Sequence, residues 1–417
     1  MRRPIFGLII SSVVFFTFGL CALLSTPFGS FPDEQSHLEY ARHIRVNHQL
    51  PGLSFDIKEI AIPEAFQPPL YYSCAALLYS PNASEKGILF RIRFFSLLLG
   101  LGVIFLTWKS SLLLFPGSTA AAIVIPVMAA MNPQFIFSHS GISNISMTGF
   151  TCSLTAFLAV RMPSKVCCSV PQCLLLGVAF GLALLSRTIT VFLFPVCVAA
   201  IYLAVSKGGY PRRLAFRNIV AFIVAAGSIA GWWYLRNWIY FGDPFLWNLH
   251  QTTMGTIWAR GETMSGVDWI TSFAFLHATF WVYFGRSEFH AGIWEYAVYL
   301  LVVVVPLRGA FEIVVNRAGG DGEFGKELFN RNGFLLFFSF ALFAIAEILV
   351  LQTRINSPQG RYLFMAMTPI SVVLGSGIIR ILPAQYRRAG AVLFSGFMLL
   401  FCLYLFARYW APHYLWN

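Results

Sequence analysis

Long apolar windows alternate with short polar connections along almost the whole chain. Windows of about 17–25 apolar residues are long enough to cross a hydrocarbon core about 30 Å thick. The first window is longer than the core of a cleaved signal peptide, so we expect it to remain as the first span. The pattern predicts about eleven transmembrane helices, at 5–25, 88–108, 118–137, 146–161, 171–186, 189–206, 216–236, 292–307, 333–352, 362–381 and 390–408.

Two further apolar stretches, 68–80 and 269–285, do not fit as spans. If both crossed the membrane, the basic loops between them would change sides. We interpret them as interfacial or re-entrant elements on the outer face, with thirteen spans as the alternative. The predicted fold class is all-α, a polytopic membrane protein of 11 to 13 helices in which 1–417 forms one unit. The alternating ten-residue segments of a membrane β-barrel are absent from the sequence.

Loop charges predict the orientation of these helices. Basic residues gather at 207–217 and 385–388, and short cytoplasmic loops are where such residues accumulate. This places the N-terminus and a connector at 308–332 in the cytoplasm. It places the acid-rich segment 26–80 and the C-terminus on the outer face.

Composition supports the membrane interpretation and excludes several function classes. Hydrophobic residues make up 58% of the chain and charged residues 11%, against about 25% charged in soluble domains. Cytoplasmic loops account for the net charge of +12, and no nucleic-acid-binding motif is present, so we expect no nucleic-acid partner. No nucleotide-binding motif is present. The eight cysteines form no CxxC pair and are interpreted as packing residues.

The sequence FPDEQSHLEY, at 31–40, holds two adjacent carboxylates just beyond the first span. Neighbouring carboxylates repel each other and raise one pKa unless a cation is close. Asp33 and Glu34 are therefore candidates for a general base or for ligands of a divalent metal, which His37 would complete. The alternative is that Asp33 only caps a short surface helix predicted over 37–44.

Aromatic and amide side chains follow a rigid proline pair in EAFQPPLYY, at 64–72. The two prolines fix the backbone and would position Gln67, Tyr71 and Tyr72 against the outer leaflet. An aromatic belt beside a proline breaker is the alternative interpretation.

Two arginines lie at outer span ends, against the general distribution of basic charge. Arg236 stands among aromatic residues in GWWYLRNWIYFGDP, and Arg361 lies in QGRYLF with Gln359 and Tyr362. An arginine with aromatic walls suits a phosphate headgroup with an apolar tail, although a snorkelling anchor is the alternative. Arg187 is interpreted as a residue that pairs or snorkels rather than reacts.

These motifs, in this order, resemble the GT-C superfamily of membrane glycosyltransferases, near family 39 O-mannosyltransferases and bacterial aminoarabinose transferase. The resemblance covers roughly residues 1–380. It implies transfer of a sugar from a polyprenyl-phosphate donor to a glycan, lipid or protein acceptor, on the periplasmic face of a bacterial inner membrane. The catalytic acid would be Asp33, with Glu34 beside it, and Arg236 and Arg361 would bind the phosphate. A divalent metal is an open question.

One motif departs from the family. Many relatives carry a second acid after an NPQF-like stretch, where this chain has Asn144 within MNPQFIFSHSGISNISMTG. Either Asp33 and Glu34 suffice, or Asn144 keeps only a hydrogen-bonding role, or the activity is lost. The alternatives to a transferase are a non-catalytic binder, flippase or transporter of lipid-linked sugars, and a structural subunit of an envelope assembly. A transporter would place charges at mid-membrane between broken helices, whereas here the polar groups collect on one face.

Overall fold

The computed structural model describes residues 5–54, 60–164, 169–249, 263–286, 288–315, 329–354 and 359–415. Nearly all regular structure in these ranges is helical. The helices are α1 Ile5–Ser25, α2 Glu34–Asn47, α3 Leu70–Leu78, α4 Glu85–Leu114, α5 Thr119–Ala130, α6 Pro133–Ser138, α7 Asn144–Arg161, α8 Val170–Ser186, α9 Leu193–Lys207, α10 Arg212–Phe241, α11 Gly266–Trp281, α12 Ile293–Val315, α13 Arg331–Gln352, α14 Met367–Ile381, α15 Arg387–Leu405 and α16 Ala411–Tyr414.

Short irregular turns and one small hairpin complete the described architecture. Turns of 3₁₀ helix occupy Pro63–Phe66, Thr188–Phe192 and Gly360–Ala366. Strands β1 Tyr283–Phe284 and β2 Phe289–His290 pair antiparallel, with Tyr283 opposite His290. The predicted all-α fold class is confirmed.

Eight helices in the described ranges are long and apolar enough to cross a membrane. All eleven predicted windows are helical, but three are shorter or more polar than these eight. The window 118–137 is divided between α5 and α6, because Pro133 opens a new helix and the Asn132 side chain caps it by accepting a hydrogen bond from the amide of Phe135 at 2.8 Å. The other two windows form α7, which is rich in serine and threonine, and the 17-residue α8.

The two apolar stretches set aside as non-spanning form short helices. Residues 68–80 contain the nine-residue α3, which at about 1.5 Å per residue is too short to cross a bilayer. Residues 269–285 contain most of the 16-residue α11, which ends at the β-hairpin. Neither is among the eight membrane-length helices. Their interfacial position stays a prediction, and the interior of the predicted connector at 308–332 lies outside the described residues.

Close helix packing holds the bundle together. Helices α12 and α14 approach so closely that a Cβ at Gly377 would overlap the carbonyl oxygen of Pro306. Small residues at such a crossing allow the backbones to approach, which is how helices associate in a membrane.

The first loop packs as a compact cap on the bundle. Helices α2 and α3 join a separate apolar cluster with the start of α4 and with Ile142, just before α7. Tyr40, Tyr71 and Tyr72 are fully buried in it. The loop therefore holds its polar residues in fixed positions beside the N-terminus of α7.

Candidate functional site

Asp33 is held in an unusual backbone conformation at the start of α2. Its φ is 59°, in the left-handed region that few residues other than glycine, asparagine and aspartate adopt. Its side chain makes no capping hydrogen bond to the helix. Instead, Arg361 donates from Nη2 to Asp33 Oδ2 at 2.8 Å, and 51% of the Asp33 side chain is exposed. The structure therefore does not support the helix-cap alternative.

Glu34 lies in a closed ion pair. Arg93 donates to both carboxylate oxygens, from Nε and Nη2, each at 2.8 Å. The amides of Gly29 and Ile142 donate to the same carboxylate, at 2.9 and 3.3 Å. Both side chains of the pair are almost completely buried. These partners leave little of the carboxylate to react, so the structure argues against the expected catalytic role of Glu34 and gives it a structural one.

The Arg93 guanidinium also fixes the end of α1. It donates to the carbonyl oxygens of Leu23 and Thr26 at 2.9 and 2.8 Å, and to that of Pro27 at 3.3 Å. The pair therefore ties together α1, the beginning of the first loop and α4, and through Ile142 the turn before α7. Glu34 thus anchors the backbone that presents its neighbour Asp33.

A second acid reaches Asp33 from a different part of the same loop. Glu64 comes from the 3₁₀ turn Pro63–Phe66, and ligand atoms of Asp33, His37 and Glu64 all lie within 4.8 Å of one another. One imidazole and two carboxylates form a mixed nitrogen and oxygen set that suits Zn²⁺ or Mn²⁺. The metal interpretation of the sequence named Asp33, Glu34 and His37; here Glu64 takes the place of Glu34.

Neighbouring side chains orient this group, which we call the acid cluster: Asp33, His37 and Glu64. The hydroxyl of Tyr72 lies 2.9 Å from Nδ1 of His37. If Nδ1 carries the proton, Nε2 keeps the lone pair that a metal needs, an arrangement common for ligating histidines. The Gln67 side chain bonds to Glu64. Gln67 and Tyr72 thus support the cluster.

Burial and charge shift the pKa values of the acid cluster in different directions. Burial alone would raise the pKa of Asp33, but the positive charge of Arg361 and its hydrogen bond, together with the charge of Arg187, lower it below its usual value. Burial raises the pKa of Glu64 to about 7, and the charge of Asp33 adds to this. Burial also lowers the pKa of His37 to about 3, so its imidazole is neutral near pH 7.

Two guanidinium groups converge on one tyrosine ring beside the acid cluster. The Arg187 guanidinium lies 4.7 Å from the centre of the Tyr362 ring, and that of Arg361 lies 5.8 Å from it. Arg187 follows α8 and lowers the pKa of Asp33 through its charge. The sequence predicted that Arg187 pairs or snorkels rather than reacts, and here it packs on the Tyr362 ring and acts on Asp33 through its charge. We call Arg187 and Arg361 the arginine pair; both lie against the Tyr362 ring.

Two other predicted site residues, Arg236 and Tyr71, contact neighbours outside the acid cluster. The Arg236 guanidinium lies 5.2 Å from the centre of the Trp233 ring and donates to Asn237 at 3.0 Å, and its charge acts on Tyr40 of the first loop. Tyr71 is buried and bonds to Ser96 and to the amide of Ser143, which makes it part of the framework.

Asn144 and Gln359 stand at the starts of helical segments. Asn144 opens α7, is 1% exposed, and its Nδ2 has no hydrogen-bond partner among the described residues. Gln359 precedes the turn that carries Arg361, and its carbonyl oxygen accepts a hydrogen bond from the Tyr362 amide at 3.1 Å.

Comparison with known proteins gives a clear result at the level of the fold. No protein-family model and no curated protein matches the chain. Several solved structures do match. ArnT from Cupriavidus metallidurans bound to undecaprenyl phosphate superposes with a TM-score of 0.57 at 14% identity, over 96% of this chain and 70% of that one. The chain has the GT-C fold.

Two further solved structures share this fold. The Archaeoglobus fulgidus oligosaccharyltransferase AglB, in complex with an inhibitory peptide and a dolichol-phosphate, matches at a TM-score of 0.55 and 11% identity, over 97% of this chain and 55% of that one. The arabinosyltransferase EmbB from Mycobacterium smegmatis matches at 0.54 and 13%, over 88% and 30%. The chain spans 61% of the apo ArnT structure. The predicted GT-C resemblance is confirmed for the fold.

Proposed function

We propose that this chain is a membrane glycosyltransferase that moves a sugar from a polyprenyl-phosphate donor to a glycan, lipid or protein acceptor. We place the reaction on the periplasmic face of a bacterial inner membrane, with the N-terminus in the cytoplasm. The observation that carries the proposal is a half-exposed Asp33 that belongs to the acid cluster and also forms an ion pair with Arg361 of the arginine pair. Structures with this fold, bound to undecaprenyl phosphate or dolichol-phosphate, support a lipid-linked donor.

In the proposed reaction, Asp33 and the arginine pair have separate roles. An acceptor hydroxyl or amine attacks the anomeric carbon of the sugar, and the bond between that carbon and the phosphate oxygen breaks. Asp33 takes the proton of the acceptor, and the phosphate leaves on its lipid. Arg187 and Arg361 stabilise the charge that develops on this phosphate. Because the leaving group is already a phosphate, the chemistry needs no nucleotide.

Glu64 supplies a second carboxylate in place of the acid that is missing at Asn144. Relatives were expected to supply a second acid from the loop that here contains Asn144. In this chain Glu64 brings a second carboxylate to Asp33 from within the first loop. A divalent cation bound by Asp33, His37 and Glu64 would supply Lewis-acid stabilisation of negatively charged oxygens. The neutral imidazole of His37 fits that role.

The test is consumption of a lipid-linked sugar by purified protein. Wild type, Asp33→Asn and Glu39→Gln would each be incubated with a panel of polyprenyl-phosphate sugars and a membrane extract as the source of acceptors, with and without divalent metal. Mass spectrometry would follow loss of each donor. Glu39 is a matched control, because it lies in α2 and its carboxylate accepts an exposed hydrogen bond from Gln35 at 3.2 Å.

We expect wild type and Glu39→Gln to consume one donor at similar rates, and Asp33→Asn to lose the activity. If wild type binds a polyprenyl phosphate but consumes no donor with any extract, the transferase proposal fails. The chain would then be a binder or transporter of lipid-linked sugars, the alternative that Asn144 raised.

A further inference from the structure

The ion pair between Asp33 and Arg361 joins the proposed base to the proposed phosphate site. It rests on one close contact, from Nη2 of Arg361 to Oδ2 of Asp33 at 2.8 Å. The Arg361 side chain is 8% exposed, and its Nε has no hydrogen-bond partner within the described ranges. This guanidinium therefore has unused capacity, unlike that of Arg93, which is fully engaged.

A phosphate and a carboxylate need the same donors. Both accept charge-assisted hydrogen bonds from a guanidinium, and phosphate binds two nitrogens at once in favourable geometries. A phosphate seated between Arg187 and Arg361 would attract the Arg361 nitrogen that Asp33 now holds. The two anions cannot both keep it without placing their like charges close together.

Asp33 cannot easily follow Arg361 toward a phosphate. Its backbone is in the left-handed region, and the next residue, Glu34, is anchored by Arg93 and by the amides of Gly29 and Ile142. Arg361 lies in a 3₁₀ turn, Gly360–Ala366, and reaches Asp33 with a long side chain. When the pair separates, the guanidinium is thus the part that moves.

We propose that Asp33 and the donor phosphate compete for Arg361, so that binding of the lipid phosphate releases the Asp33 carboxylate. The inference rests on the proposed function and adds an order of events to it. Without donor, Arg361 occupies the carboxylate that would take a proton from the acceptor. With donor bound, Arg361 turns to the phosphate and Asp33 is free. The acceptor is therefore activated only when a sugar donor is in place.

The competition predicts that removal of the Asp33 charge tightens phosphate binding. Affinity for undecaprenyl phosphate would be measured in detergent for wild type and Asp33→Asn, by the change in tryptophan fluorescence. Asparagine suits the left-handed conformation of residue 33, so the variant keeps the loop geometry. We expect about two- to fivefold tighter binding, the scale of a part-exposed ion pair.

Two further variants separate competition from a general loss of negative charge. Glu64→Gln removes an acid of the same cluster that, among the described residues, interacts with Arg361 through its charge and not through a direct ion pair. We expect a smaller gain than for Asp33→Asn. In an Arg361→Gln background, the gain from Asp33→Asn should disappear.

The outcomes distinguish failure of the inference from failure of the proposed function. If wild type binds the lipid phosphate, but Asp33→Asn binds no tighter, the competition is contradicted while the transferase proposal stands. An equal gain for Glu64→Gln, or a gain that persists without Arg361, contradicts it in the same way. If wild type does not bind the lipid phosphate at all, the proposed function itself is overturned.

Discussion

Two ion pairs begin at consecutive acids and differ in almost every other respect. Glu34 and Asp33 each accept a hydrogen bond from an arginine at 2.8 Å. The Glu34–Arg93 pair is closed, with 0% and 4% of its side chains exposed and additional donors on both sides. The Asp33–Arg361 pair is open, with half of the carboxylate exposed. The number of partners, rather than the presence of charge, separates the enclosed acid Glu34 from Asp33, the acid that we propose to be reactive.

The largest expected effect is on stability, at the closed pair. Removing one partner of a buried ion pair leaves an uncompensated charge and costs about 3–5 kcal/mol. Glu34→Gln should therefore lower the free energy of unfolding by that amount, measured by thermal unfolding of the purified protein in detergent. Asp33→Asn is the matched control. Its pair is partly exposed, and pairs of this kind contribute about 0.2–1 kcal/mol.

Equal stability of these two variants would contradict the distinction between the closed and the open pair. A Glu34→Gln protein that unfolds at a much lower temperature than Asp33→Asn would support this distinction.

The next effect is on binding of the lipid phosphate, at the open pair. Hydrogen bonds to charged groups contribute about 1.5–3 kcal/mol, so Arg187→Gln and Arg361→Gln should each weaken undecaprenyl phosphate binding about tenfold or more. Arg236→Gln is the control, because Arg236 packs on Trp233 and bonds to Asn237. We expect it to change the affinity less than about threefold.

If Arg236→Gln loses as much affinity for undecaprenyl phosphate as Arg187→Gln, then Arg236 belongs to the phosphate site, as the sequence predicted. If Arg187→Gln loses no affinity, then Arg187 is not part of the phosphate site.

The last effect in this series is on metal binding. Zn²⁺ or Mn²⁺ would be titrated calorimetrically into dialysed wild type, His37→Asn, Glu64→Gln and Glu34→Gln. The His37 and Glu64 variants should bind the metal at least about tenfold more weakly. Even residues that only position a metal ligand contribute about tenfold or more to metal affinity, and these two residues would bind the metal directly. Glu34→Gln molecules that remain folded should bind metal like wild type. Binding that depends on Glu34 instead of Glu64 would reverse our assignment of the two acids.

Local sequence signals were sufficient for most of the fold. Hydropathy identified the helical windows because each span depends on its own residues, as in the match between 5–25 and α1. The signal was weaker where a helix is shielded by its neighbours. Helix α7 is buried along much of its length and carries Ser146, Thr148 and Thr151 inward, so its mean hydropathy falls below that of a lipid-facing span.

The site depended on contacts that no local pattern reveals. Asp33 and Arg361 are 328 residues apart in the chain, and nothing in either motif specifies the other as its partner. Asp33 and Glu34 look equivalent in sequence, and only the position of Arg93 separates them. Glu64 could have been noticed as an acid three residues before Gln67 in a proline-fixed turn. Arg187 had no such signal, because its contact is a ring from a distant segment.

The most direct test of the account is the turnover of Asp33→Asn at saturating donor, per folded and lipid-bound protein. The account predicts that turnover falls at least about a hundredfold, the scale of a positioned general base, while affinity for the lipid phosphate is kept or increased. If Asp33→Asn binds the lipid phosphate and turns over within about threefold of wild type, Asp33 is not the reactive acid and the central claim is wrong.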